Sequence, residues 1–185
     1  MFIALNLYCS TIQAQGNLVP NPSFEIYTAC PTNQDQLYKA TPWYKPTYNT
    51  SDYYNVCAID STGVANFGVP SNFAGYQPAR TGNAYAGIGM NSVGREYLGV
   101  KLDSTLKSNT KYCVEFYVSL WSYSIYSTSS LGVYFSNTKL TDYTTLTNLP
   151  VIPQVENPTN NLLSDTTDWM LVSGSFISNG GEQYM

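Results

Sequence analysis

The chain has 185 residues, enough for one domain with a true core and short for two. Only 11% of its residues are charged while 15% are aromatic, so its surface must be built largely from Ser, Thr, Asn and Tyr, the palette of an extracellular β-protein. The net charge of −4, with eight Lys and Arg scattered along the chain, argues against nucleic acid as a partner, because phosphate contacts need clustered basic residues.

Residues 1–15 begin with Phe2-Ile3-Ala4-Leu5 and end in Thr11-Ile12-Gln13-Ala14-Gln15, which reads as a secretory signal cleaved near Ala14 or Gln15. It has no basic n-region, so its start is read as clipped; the competing reading is an ordinary apolar N-terminal strand. No later run approaches the roughly 20 apolar residues of a membrane-spanning helix. The expected mature module is therefore residues 16–185, exported and not membrane-spanning in this segment.

Next comes Asn17-Leu18-Val19-Pro20-Asn21-Pro22-Ser23-Phe24-Glu25, answered near the far end by Asp168-Trp169 and the strand pattern that follows. A carboxylate after a core-type Phe at one end and a Trp strand at the other imply a β-sandwich whose ends meet. Glu25, read as part of a first strand, and Asp168 are candidate hard oxygen ligands for a structural Ca²⁺. The alternative is that Glu25 accepts hydrogen bonds from loop backbone.

Residues 28–81 are irregular, rich in Pro, Asn, Tyr and Gly, and longer than a plain connection requires. Cys30 and Cys57 lie in this excursion and are the natural disulfide in an oxidising compartment. Cys9 would leave with the signal, and Cys113 reads as a free, half-buried thiol. The chain has no His and no paired Cys-x-x-Cys, which disfavours a zinc site.

The second half alternates with period two and shows almost no helical periodicity. Residues 82–90 form a strand of small residues, and 95–102 form another, joined by the polar turn Lys107-Ser108-Asn109-Thr110 to a strand over 111–121 as its antiparallel neighbour. In that last strand Tyr112, Val114, Phe116, Val118 and Leu120 should face the core, and Cys113, Glu115, Tyr117, Ser119 and Trp121 should face outward. Residues 131–136 alternate again, a short strand is expected around 151–155 within the polar connection 138–167, and 169–178 alternate once more. The chain stops at Gly180-Gly181-Glu182-Gln183-Tyr184-Met185, which reads as the beginning of a last strand in a protein that continues. Many short strands separated by turns predict a sandwich.

Catalytic machinery is scarce. Without His the familiar Ser-His and Cys-His pairs cannot form, and no Gly-rich loop leads into Lys and Ser or Thr to hold a phosphate. The 12 Asp and Glu are spread singly, so a two-carboxylate glycosidase is the minority reading. Outward aromatics offer a better candidate. Sugars present apolar C–H faces as well as hydroxyls, so Tyr117, Trp121, Tyr123 and Tyr126 beside Glu115 could form a glycan platform. The competing reading packs Trp121 and the loop tyrosines under the 28–81 excursion, and Trp43 and Trp169 are read as core anchors.

Taken with Cys30-Pro31, Pro42-Trp43, Asp52-Tyr53-Tyr54-Asn55-Val56-Cys57, residues 69–75, residues 79–88, Arg95-Glu96-Tyr97-Leu98 and Gly180-Gly181-Glu182-Gln183-Tyr184, the stretch 17–25 resembles the N-terminal module of Bacteroidetes cell-surface proteins. In that family the module often precedes an outer-membrane protein A-like peptidoglycan-binding domain or a gliding-associated C-terminal sorting region. A looser similarity, confined to Phe24-Glu25 and residues 169–176, reaches jelly-roll, galactose-binding-like carbohydrate-binding modules. There the Glu after Phe commonly belongs to a structural calcium site, a role that transfers only to Glu25, with Asp168 as companion; no sugar-binding aromatic motif maps onto this chain.

These readings converge on an all-β jelly-roll sandwich carrying a long disulfide-closed excursion. The expected function is noncatalytic recognition of a glycan or cell-surface polysaccharide, or adhesion, at the cell surface or outer membrane, within a protein that has a further C-terminal domain. The alternatives are a structural spacer of a peptidoglycan-associated envelope protein and, last, a glycoside hydrolase fragment.

Overall fold

The computed structural model describes residues 1–6, 16–58, 66–90, 94–141 and 148–185. Its strands are β1 (Phe2–Asn6), β2 (Asp52–Asn55), β3 (Ser71–Asn72), β4 (Gly75–Tyr76), β5 (Ala84–Gly87), β6 (Lys111–Ser119), β7 (Gly132–Val133), β8 (Val155–Glu156) and β9 (Met170–Ile177), with single-turn 3₁₀ helices at Leu37–Lys39 and Val56–Ala58. The main sheet has the order β2-β5-β1-β6-β9, and every neighbouring pair in it is antiparallel.

The spine of this sheet is β6, whose alternation of apolar with polar residues suits a strand buried on one face. Tyr112, Val114, Phe116 and Val118 are buried, while Cys113, Glu115 and Tyr117 between them are half exposed. Opposite them on β9, Val172 is buried against Phe116, and Phe176 sits across from Tyr112 with ring centroids 6.2 Å apart. The outward residues of β9, Leu171, Ser173, Ser175 and Ile177, are exposed. Ser119 departs from the expected pattern: it is buried, because its hydroxyl donates to Gln77 Oε1 at 2.8 Å.

A second layer faces this core, assembled from short segments rather than long strands. Residues 100–102 exchange backbone hydrogen bonds with Gln183 and Met185, Ser136 pairs with Tyr184, and Val133 and Leu131 accept from Gln154 and Asn157 beside the β7–β8 pair. Val100, Leu102, Val133, Phe135 and Val155 from this layer share one buried cluster with β6. The result is a β-sandwich. Residues 95–102 thus belong to this layer, through Tyr44 and the C-terminal segment, and not beside β6 as their position before it suggested.

The other half of the main sheet is buried on both faces. Tyr53, Ala84, Ala86 and Ile3 point into the sandwich core, while Phe2, Tyr54 and Tyr85 point the other way into a second cluster with Phe67, Val69 and Ala74. The β3–β4 hairpin belongs to the segment that covers this far side. The 28–81 excursion is therefore less irregular than its composition implies, because it supplies β2 and the lid over β2 and β5. Cys30 and Cys57 are bonded, as expected, across a separation of 27 residues with Cα atoms 5.6 Å apart. Cys113 is also disulfide-bonded, which corrects the expectation of a free thiol.

Two further expectations are revised or relocated. Residues 17–25 do not form a first strand. Asn21 and Phe24 have φ of 47° and 62°, and the Asn21 side chain donates to Ile26 and Thr41 carbonyls while accepting from the Ile26 N–H, so the segment folds into a turn. Residues 2–6, read as part of an export leader, occupy the middle of the sheet as β1; the cleavage position at Ala14 or Gln15 lies outside the described residues.

Phe116→Ala should cost about 3–5 kcal/mol by opening the core between β6 and β9. Leu171→Ala, on the exposed side of the neighbouring strand, should stay within about 0.5 kcal/mol. Urea unfolding of both variants checks this; equal losses would contradict the one-sided burial of this half of the sheet.

Candidate functional site

A cavity of about 440 Å³ lies between the two layers, a size suited to a small ligand. Ile3, Phe116 and Val133 give it an apolar floor, and Trp43, Tyr44 and Tyr97 bring aromatic rings to its wall. Arg95, Glu96, Asn148 and Glu156 also line it.

Local sequence explains how the rings are placed. Trp43 is buried, packs at a tilt against Phe24 with ring centroids 4.8 Å apart and donates its indole N–H to Asn21 O at 2.9 Å, as expected of a core anchor. The next residue, Tyr44, is fixed by two backbone hydrogen bonds to Gly99, of 2.9 and 2.8 Å. A Cβ at position 99 would come within 2.6 Å of the Tyr44 ring, so only glycine lets the ring lie this close to the neighbouring backbone. The Lys139 ammonium sits 4.1 Å from the Tyr44 ring centroid, a cation–π contact.

The polar wall is held in place by its own hydrogen bonds. Arg95 Nε donates to Asn148 Oδ1 at 3.2 Å, and the Leu149 N–H donates to the Tyr97 hydroxyl at 3.0 Å. Glu96 accepts from the Gly89 N–H at 2.5 Å and the Thr50 hydroxyl at 2.9 Å, yet burial outweighs these bonds and raises its pKa above the usual carboxylate range. Behind it, Asp52 is buried and accepts from the Asp35 N–H at 2.9 Å. Desolvation lifts its carboxyl to about 7. The Met1 ammonium, donating to Ile88 O at 2.9 Å, is pulled down to about 4 by the same cause, against the attraction of Glu96 and Asp52.

The residues proposed as a glycan platform do not all share one environment. Glu115 and Tyr117 lie on the outer side of β6, and the Arg80 guanidinium covers the Tyr117 ring at 3.3 Å from its centroid. Trp121 packs edge-on against Phe73 at 5.7 Å, under the 28–81 excursion, and its buried indole N–H has no acceptor among the described residues. Tyr123 and Tyr126 are 76% and 79% exposed on the loop beyond, so they alone present free ring faces. Trp169 is half buried, near Phe2 and Tyr85, and donates to Pro78 O.

Glu25 accepts the Asn83 N–H at 2.8 Å and the Asn83 side-chain amide at 3.4 Å. The chain can approach it because Gly82 has φ +67°, and a Cβ there would overlap the carboxylate. Asp168 is exposed, and its backbone N–H donates to Asp165 Oδ1 at 2.9 Å. Calcium needs six to eight oxygen ligands. Around Glu25 the structure supplies N–H donors, and among the described residues no group of three or more His, Cys, Asp or Glu could hold an ion. In the structure Glu25 fastens the turn at 82–83.

The cavity was not anticipated from sequence, although Trp43-Tyr44 and Arg95-Glu96-Tyr97 hold its characteristic residue types. No protein-family model, no curated protein and no solved structure matches the chain.

Two measurements test these assignments. The folded-state pKa of Asp52 is raised, so its burial costs nothing below about pH 4 and costs progressively more as pH rises towards 7. Asp52→Asn should therefore gain stability relative to the parent between pH 5 and pH 8, by about 2 kcal/mol, read from urea midpoints; a pH-independent difference would refute the buried carboxyl. Millimolar calcium should leave the thermal midpoint unchanged, whereas an upward shift would restore the metal reading of Glu25 and Asp168.

Proposed function

We propose that this chain is a noncatalytic β-sandwich module of an exported cell-surface protein, of the jelly-roll, galactose-binding-like kind, and that it recognises carbohydrate. The observation that carries this reading is the cavity between the layers, whose lining combines Tyr44 and Tyr97 with Arg95, Glu96 and Asn148. Rings match the C–H faces of a sugar, and the fixed donors and acceptors match its hydroxyls.

Export is supported by the Cys30–Cys57 disulfide, which belongs to an oxidising compartment, and by the sequence of residues 1–15. Among the described residues no helix is long and apolar enough to cross a membrane. The resemblance to Bacteroidetes surface modules favours the same location. Glu96 is committed to two donors as an acceptor, which suits ligand positioning better than acid catalysis.

A glycan array followed by calorimetry on the intact chain tests the proposal. Plant, host and bacterial glycans should include at least one binder, and Tyr44→Ala or Arg95→Ala should weaken it at least tenfold, about 1.4 kcal/mol. Tyr126→Ala serves as the comparison: loss of binding there alone would move the site to the exposed loop. Silence across all glycans would defeat recognition and leave the module a spacer. Hydrolysis of any bound glycan would overturn the noncatalytic reading.

A further inference from the structure

The two edges of the main sheet are finished differently. At one end β2 is short and closed in: all four of its residues are buried, the Asn55 N–H donates to Phe67 O at 3.1 Å, and beside its first residue the Leu37 N–H donates to Ser51 O at 3.3 Å. At the other end β9 runs for eight residues, and no described segment pairs with its outer edge. Exposed edges are ordinarily guarded by charge, proline or a bulge. Met170–Ile177 contains no charged residue and no proline, and its register with β6 is unbroken from Met170 to Ile177.

The ladder fixes which backbone groups that edge presents. The Ser178 N–H donates to Thr110 O at 3.0 Å, continuing the β6–β9 register by one pair. Successive residues of an antiparallel strand bond to alternate sides, so Phe176, Gly174, Val172 and Met170 bond to β6 like Ser178. The N–H and C=O groups of Leu171, Ser173, Ser175 and Ile177 therefore face the open edge. The side chains of the same four residues are exposed on the outer face, with Leu171 at 43% and Ile177 at 67%.

Residue types along this edge are symmetric. Leu171-Val172-Ser173-Gly174-Ser175-Phe176-Ile177 reads alike from either end: two apolar residues, Ser, Gly, Ser, two apolar residues. When the strand meets its own copy antiparallel, with Gly174 opposite Gly174, Leu171 lies across from Ile177 and Ser173 across from Ser175, each pair occurring twice. Every one of these pairs joins residues whose backbone groups face the edge, so each closes two N–H···O bonds. On the inner face the half-buried Phe176 meets Val172 of the second copy. A shift of two residues in either direction would set Leu171 or Ile177 against a serine, so the pattern selects one register.

We propose that β9 is a self-association edge, at which two copies of this chain pair β9 to β9, antiparallel about Gly174, into a two-fold dimer with one continuous sheet. The interface uses the same patch on both copies, so it closes at two, and the covered β2 edge does not extend it. The two-fold axis runs perpendicular to the sheet, which places both second layers, and both cavities, on one side of it.

The test is sedimentation equilibrium of the intact chain across micromolar concentrations, with amide hydrogen exchange on the same samples. The mass should rise from 20.5 kDa to twice that value. As it does, the Leu171, Ser173, Ser175 and Ile177 amides should become protected, while the Val172 and Phe176 amides are protected throughout. Ser173→Lys with Ser175→Lys sets like charges directly opposite each other twice and should raise the dimer Kd about tenfold. Ser173→Lys with Ser175→Glu sets opposite charges across the same pairs and should dimerise at least as well as the parent. Both variants alter only exposed side chains, and thermal midpoints at dilution check that they fold alike. A chain that stays monomeric at every concentration would overturn the proposal, as would a dimer in which those four amides exchange as in the monomer. Equal weakening of both variants would overturn it too, because it would mean another register or a parallel pairing.

Discussion

Everything in this molecule is positioned by β6 and its two neighbours. The eight-residue pairing of β6 with β9 and the five-residue pairing with β1 fix which residues of β6 face the second layer, and a one-residue slip would turn Val114 and Phe116 outward together. Because that error would cost the core several large side chains at once, the register is strongly determined. The cavity floor at Phe116 and the platform of Tyr117 follow from the same register, on opposite faces of one strand.

A second constraint is the burial of polar rings. Tyr53, Tyr54 and Tyr85 are fully buried, and a buried hydroxyl without a partner is expensive. Each has one: Tyr53 donates to Phe24 O and accepts from Asn55, Tyr54 donates to Asp52, and Tyr85 donates to Gln77 O and accepts from Asn72. Burial pushes all three hydroxyls well above the ordinary tyrosine range, so they remain neutral donors. These bonds tie β2 and β5 to the 17–25 turn and to the β3–β4 lid. A tyrosine-rich sequence thus uses its hydroxyls to orient loops as well as its rings to fill space.

Strands that carry their own pattern were legible in the sequence; partners were not. The alternation over 111–118 and 170–177 announces β6 and β9 because one face of each is solvent-exposed, and Cys30 with Cys57 could be paired from compartment and position. Residues 95–102 show equally good alternation, yet pattern says nothing about which strand lies alongside, and they bond to Tyr44 and Gln183–Met185 instead of β6. Asn17–Glu25 reads as extended until its two positive φ values are known. The cavity was hidden for the same reason as the pairing: Tyr44, Arg95, Val133 and Asn148 are far apart in the chain and only the fold brings them together. Trp121 illustrates the limit for single residues, since its place at the end of β6 fits either a platform or a packing role, and Phe73 decides between them.

The cavity and the middle of the sheet are parts of one physical system. Ile3 of β1 forms part of the cavity floor, and Glu96, which lines the wall, also acts on the ammonium at the head of β1. β1 therefore sets both the shape of the floor and the charge balance beside Glu96 and Asp52. A change at β1 reaches the cavity without a moving domain, because the buried strand is shared by the sheet and the cavity floor and close-packed interiors transmit small displacements between neighbours.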